Sequence, residues 1–331
     1  MAAASAPQAR TAIVRAFGSR GQLAGVSRRL DVGLFVVLPL VWGLSFPAIT
    51  VGLEYIPPVL FAAFRYDVAA VIMLAYALVF VRGWRPTGRH NQAAILGGGV
   101  FMIAGNGLLF IGQQTVPSGV AAILQALVPI ATALWAFPIL GERVSLAGVL
   151  GIAVGFLGIG FIVQPDPSNF LAGDTVGRLL IVLQVVTVSL GGVIVQRVDP
   201  DLGTVPLTGW SMLVGALILH AVSAATGELP DLADLVAPTA LGAVLYLGVF
   251  STAIAFFIYY TILAERGAFE ASLVAYVVPI VATLAGVFLL DETIGLLSIV
   301  GFALVAVGFA LLKRRALVER AAPALGVSGH G

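Results

Sequence analysis

Apolar residues in this chain run on for about twenty positions at a time and then stop at a short polar break. Such runs cover residues 32–53, 59–81, 93–113, 117–140, 145–163, 175–196, 205–225, 238–263, 268–290 and 294–312. About twenty apolar residues in a helix span the hydrocarbon of a bilayer, so the pattern predicts ten membrane-crossing helices. The breaks carry turn formers: Pro57 and Pro58, Gly83 through Gly88, Pro117 to Gly119, Pro165 through Gly173, Asp199 to Asp201, and Gly227 through Asp234. Residues 1–30 are small, polar and basic and read as a disordered tail, and residues 314–331 read as a second tail. The apolar run after residue 30 is too long for the core of a cleaved signal peptide.

Composition sets the solvent. Hydrophobic residues make up 60% of the 331 and charged residues only 10%, where soluble domains carry about 25% charge. The fold class expected is therefore an all-α polytopic membrane protein. No cysteine is present, and the three histidines, His90, His220 and His330, have no ligand spacing. The one lysine, Lys313, is followed by arginine, which excludes a phosphate-binding GxxxxGK[ST] loop. Neither an HExxH motif nor a nucleophile elbow stands out. No catalytic residue, metal site or cofactor is assigned, and the chain is expected not to be an enzyme.

Charge is distributed unevenly. With the N-terminus placed in the cytoplasm, fifteen of the 17 basic residues fall in the two tails and the loops after helices 2, 4, 6 and 8. Arg178 alone falls outside, and Arg65 lies within helix 2. Basic residues mark the cytoplasmic side, so both termini are expected there, in a plasma membrane.

Residues 121–161 return at 271–311 with an offset of 150. Pro129 falls on Pro279, Leu140 on Leu290, Glu142 on Glu292, Gly151 on Gly301 and Gly158 on Gly308. The chain thus divides into a first repeat, 31–165, and a second, 174–313. Five helices per repeat is an odd number, so the second repeat enters from the opposite face. Inverted repeats are a plan of secondary transporters, whose sites lie near the midplane.

The stretches LVPIATALWAFPILGERVSLAGVLGIAVGFLGI and VVPIVATLAGVFLLDETIGLLSIVGFALVAVGF closely resemble the EamA repeat of the drug/metabolite transporter superfamily. Val41 to Phe46 and Phe64-Arg65-Tyr66 also match that family's habits. The resemblance covers residues 31–313. It implies ten helices, alternating access, and export of small metabolites, often amino acids. It also implies that helices 5 and 10 brace the halves from outside.

Several residues are candidates for function. Proline lacks an N–H, so Pro129 and Pro279 deprive the carbonyls of Gln125 and Ala275 of their helical donors. Such breaks either line a substrate path or are kinks satisfied by neighbours. Gln125 and Tyr276 flank them and lead the substrate-binding candidates. Trp42, Asn106, Gln184 and Tyr260 join them as polar or aromatic groups at membrane depth. Arg65 and Asp67 are intramembrane charges and candidates for gating or coupling. Arg65 alternatively snorkels to the headgroups, and Asp67 alternatively bonds a hydroxyl or backbone group. Glu142 and Glu292 precede helix N-termini, where carboxylates cap free N–H groups, and are read as structural. Gly148, Gly151, Gly155 and Gly158 line one face for close helix contact, within the monomer or in a dimer.

The function expected is secondary transport, exporting small organic metabolites such as amino acids. A proton-coupled multidrug exporter is the alternative, although helix 1 carries Asp31 only at its edge. A non-transporting sensor ranks below it. The partners expected are a small-molecule substrate and the lipid bilayer, with no nucleic acid. The monomer is the expected state, with a homodimer as the alternative.

Overall fold

The computed structural model describes residues 27–141, 145–163, 173–266, 268–312 and 314. Glu142 and most of both expected tails lie outside the described residues. Among the described residues the regular structure is entirely helical. Ten apolar helices succeed one another: α1 Gly33–Gly52, α2 Pro58–Phe80, α3 Arg89–Gln113, α4 Ser118–Leu140, α5 Leu146–Val163, α6 Asp174–Val198, α7 Thr204–Thr226, α8 Pro238–Leu263, α9 Val274–Leu290 and α10 Leu296–Leu312. The backbone of α9 is helical from Ala268. Lipid offers no hydrogen bonds, so each span must satisfy its own backbone. Proline opens α2 and α8, where its missing N–H costs nothing. Gly141 (φ 70°) and Gly227 (φ 74°) close α4 and α7 in the left-handed conformation. Asp291 (φ 54°) does the same for α9, at the position that matches Gly141 in the repeat.

Eight helices form a ring in the order α1, α8, α2, α7, α3, α6, α4, α9 and back to α1. Every neighbouring pair in it joins a helix of the first half to one of the second. The middle of the ring is therefore a seam between halves throughout. The remaining two helices, α5 and α10, run along each other beside α4. Resemblance implied that each would brace its own half. Instead they form one antiparallel pair that ties the halves together.

That pair is nearly bare backbone. A Cβ added to Gly158 would lie 2.7 Å from the Gly301 carbonyl oxygen, and one added to Gly308 would lie 2.5 Å from that of Gly151. Gly158 meets Gly301 while Gly151 meets Gly308, which are each other's counterparts at the offset of 150. A two-fold relation between halves produces this reciprocity. The glycine face therefore serves a contact within the monomer. Outward, Leu146, Leu150, Leu157, Leu296 and Val307 are exposed, as a lipid-facing surface requires.

Two carboxylates clasp the halves on one face. Glu228, after α7, accepts from the N–H groups of Val59 (3.1 Å) and Leu60 (2.8 Å) at the start of α2. Glu292, after α9, accepts from the Ser118 N–H (2.8 Å), the Ser118 hydroxyl (2.8 Å) and the Gly119 N–H (3.3 Å) at the start of α4. Sequence reasoning assigned Glu292 to the helix that follows it, α10. Its carboxylate reaches across to α4, because the left-handed turn at Asp291 folds it back and its N–H bonds Gly286 (3.1 Å). On the opposite face Asn91 Oδ1 accepts from the Leu202 N–H (3.0 Å), joining α3 to the approach of α7.

Candidate functional site

The irregular helices converge on the ring's interior. In α3 the α-helix gives way to a π-helical segment, Gly98–Ile103, and a short tight turn, Ala104–Asn106. In α8, the counterpart of α3, a π segment spans Tyr246–Ile254. Helix α4 breaks after Gln125 and resumes at Val128. There the N–H groups of Ala126 and Leu127 fall back on carbonyls only three residues behind. Helix α1 breaks at Leu44, between Trp42 and Pro47. π segments and broken spans widen the backbone and aim side chains that a straight helix would point elsewhere, and they recur at functional sites.

The two prolines at matched positions have different outcomes. Pro129 sits in the first turn of the resumed α4, where a missing donor is harmless. Pro279 lies inside an unbroken α9. The sequence treats the two alike; the structure breaks one helix.

Four polar side chains from four helices form a chain of hydrogen bonds. Gln125 Nε2 (α4) donates to Gln184 Oε1 (α6) at 2.6 Å. Gln184 Nε2 donates to Asn106 Oδ1 (α3) at 3.0 Å. Asn106 Nδ2 donates to the Tyr66 hydroxyl (α2). Gln184 is 2% exposed and Asn106 9%, so the amides turn away from lipid. An amide offers donor and acceptor at once, so the chain passes hydrogen bonding along and leaves capacity at its partly exposed end, Gln125.

The belt continues through Arg65, next to Tyr66. Arg65 Nε donates to Thr252 Oγ1 on the π segment of α8 at 2.8 Å. Trp42 Nε1 donates to the neighbouring Ser251 carbonyl at 3.1 Å. Trp42 also touches Tyr259 (centroids 5.6 Å apart), whose ring meets Tyr260 (5.7 Å). The Tyr260 hydroxyl shares a 2.6 Å hydrogen bond with Thr208 of α7. Of the six residues put forward for substrate, Asn106, Gln125 and Gln184 thus meet directly, and Trp42 and Tyr260 stand in an adjoining aromatic cluster. Tyr276 is apart. Its ring lies on Phe309 of α10 (4.7 Å), and its buried hydroxyl finds no partner among the described residues.

The charged pair separates as well. Arg65 is 8% exposed and turned inward, so it does not snorkel. Asp67 faces the other way on α2 and meets His220 Nε2 of α7 at 2.7 Å, half-exposed, with Phe64 against the imidazole. Sequence reasoning missed Tyr66, Thr252 and His220 as partners. A titratable residue inside an apolar span, such as His220, was the available signal.

A family model described as the EamA-like transporter family matches residues 31–164 and again residues 175–314. The chain belongs to the EamA-like transporter family. Relatives of this EamA-like chain include an uncharacterized transporter of Archaeoglobus fulgidus, 26% identical over 83% of this chain and 95% of that one. The uncharacterized inner membrane transporter YedA of Escherichia coli is 30% identical over 83% and 89%. Protein PecM of Dickeya dadantii is 25% identical over 85% and 92%. A solved structure, titled only as the crystal structure of a protein, shares the fold at a TM-score of 0.60 and 20% identity, covering 89% of this chain and 99% of its own. The chain is thus a multi-pass membrane protein of a transporter family.

Proposed function

We propose that this EamA-like transporter is a secondary carrier that exports small organic metabolites such as amino acids by alternating access. The observation that carries the reading is the chain Gln125–Gln184–Asn106–Tyr66. It runs along the arc of the ring from α4 through α6 and α3 to α2, joining three helices of the first half to α6 of the second. A polar group bound there is held by both halves at once, so a rocking motion of one half against the other reshapes its site. Irregular backbone in α1, α3, α4 and α8 surrounds the same place, the arrangement that inverted-repeat carriers use. One chain completes the ring, so a monomer suffices. The basic loops orient both termini to the cytoplasm of a plasma membrane.

Counterflow in proteoliposomes tests this. Pooled labelled amino acids, purines and quaternary amines are offered to wild type and to Gln184→Ala, with and without a pH gradient. Saturable exchange of one class, reduced at least about tenfold in the variant, supports the carrier. No exchange of any pool by folded protein would remove it and favour a sensor. The Asp67–His220 contact supports a second reading, proton-coupled drug export. Under it, quaternary amines are the exchanged class, and acceleration by the pH gradient disappears in Asp67→Asn.

A further inference from the structure

Arg65 carries a charge that has no counterion among the described residues. Its side chain is buried, 8% exposed, at membrane depth in α2. Among the described residues no carboxylate lies within ion-pair distance of it; Asp174 is taken by Arg178 and Asp67 meets His220. A lysine could shed its proton in such a place, but a guanidinium does not.

The guanidinium is nevertheless carefully held. Nε donates to Thr252 Oγ1, and that hydroxyl spends its own proton on the Leu247 carbonyl at 2.7 Å. The hydroxyl is thereby fixed as an acceptor. Tyr66 and Phe110 present their ring faces 5.3 and 5.9 Å from the guanidinium carbon. These contacts orient the group without neutralising it. The two terminal nitrogens have no protein acceptor among the described residues, and neither is sealed from accessible space. A planar fork with both outer nitrogens free is the geometry that a carboxylate accepts in two parallel hydrogen bonds.

We propose that Arg65 is the anchor for a carboxylate group of the transported solute, which makes the substrates carboxylates or zwitterions of the amino-acid kind. The inference rests on the carrier reading above for what is transported. The anchoring itself is a binding claim. One fixed cation matches one carboxylate; a phosphate ester would call for several. Tyr66 joins the anchor to the amide chain, so a carboxylate on Arg65 places the rest of a small solute beside Asn106. Thr252 is a positioning residue for the anchor.

The test is thermal stabilisation of detergent-purified full-length protein by pooled amino acids, each matched with its own carboxamide at the same millimolar concentration. Wild type is expected to be stabilised by acids and not by amides. Arg65→Gln weakens half-saturation by about a hundredfold or more, and Arg65→Lys by about tenfold, because a point charge loses the paired geometry. Thr252→Val keeps the charge and is expected to narrow the preference for acid over amide. It also serves if Arg65→Gln does not fold. Equal stabilisation by acid and amide, unchanged half-saturation in Arg65→Gln, or no stabilisation by any acid each overturns the proposal. Counterflow then separates the two claims. Exchange confined to solutes without a carboxylate sinks the anchor and leaves the carrier. Acid-selective binding without exchange sinks the carrier and leaves the anchor.

Discussion

Replacing Gly158 by alanine measures how closely α5 and α10 approach, and Gly160, two positions on, is its control. A Cβ at Gly158 would stand 2.7 Å from the Gly301 oxygen and 2.9 Å from a methyl of Val305; at Gly160 nothing lies within 4 Å. The new carbon at 158 is about 0.7 Å too close, and separating packed atoms by that much forfeits roughly a third of their attraction. With some tens of contacts at 0.1–0.2 kcal/mol each, the seam loses about 2 kcal/mol. Alanine returns about 1 kcal/mol at either site, because glycine is the poorer helix former. Gly158→Ala should therefore destabilise by about 1 kcal/mol and Gly160→Ala stabilise by about the same. Reversible unfolding in mixed micelles reads both. Gly301→Ala strains the same contact, so the double variant with Gly158→Ala should cost less than the two singles together, by at least about 0.5 kcal/mol. Equal effects at 158 and 160 would refute close backbone packing there.

Three further outcomes are expected. Glu292→Gln should cost about 1–2 kcal/mol and Glu292→Ala about 2–3, by uncapping α4; hydrogen exchange should quicken at the amides of Ser118 and Gly119, and unchanged protection would exclude the clasp. Tyr66→Phe removes the acceptor for Asn106 Nδ2 and should cost about 1–2 kcal/mol in stability, read by the same unfolding assay; a neutral result would mean the amide finds another partner. Pro279→Ala should stabilise by about 1–3 kcal/mol by restoring a bond to the Ala275 carbonyl, whereas Pro129→Ala should change stability by under about 0.5, its helix being already broken; equal gains would contradict the difference between α4 and α9.

The course of the chain through the membrane was legible because lipid dictates it. Residues that cannot leave hydrocarbon accumulate in runs, and Gly141 and Gly227 mark where helices stop. The amides were legible too: Asn106, Gln125 and Gln184 are conspicuous as amides in the middle of spans whose interior is mostly apolar or hydroxyl-bearing, although their mutual bonding required the fold. Partner choice was not legible. Glu292 reaches α4 because Asp291 adopts a left-handed turn, and no local pattern tells which of two nearby helix ends will be met. The π segments left no mark, since a shift of hydrogen-bond register needs no particular composition. Arg65 reads as a gating or coupling candidate with snorkelling as the alternative, and only the fold separates the two, by setting Thr252 on the π segment of α8 within reach of its Nε.

Those two π segments have a consequence for how the chain can vary. Shifted by the repeat offset, Gly98–Ile103 falls inside Tyr246–Ile254, so the third helix of each half carries the same extra register. A single deletion that returned either segment to α-helix would rotate everything beyond it by about 100°. On α3 that swings Asn106 away from Gln184, and on α8 it parts Thr252 from Arg65. A side-chain exchange on either helix leaves the register of the rest unchanged, whereas a change of length does not. Homologous chains should therefore vary more readily in the composition of these helices than in their length, with insertions and deletions gathered in the loops, and an indel inside either π segment should identify a member that has given up this polar belt.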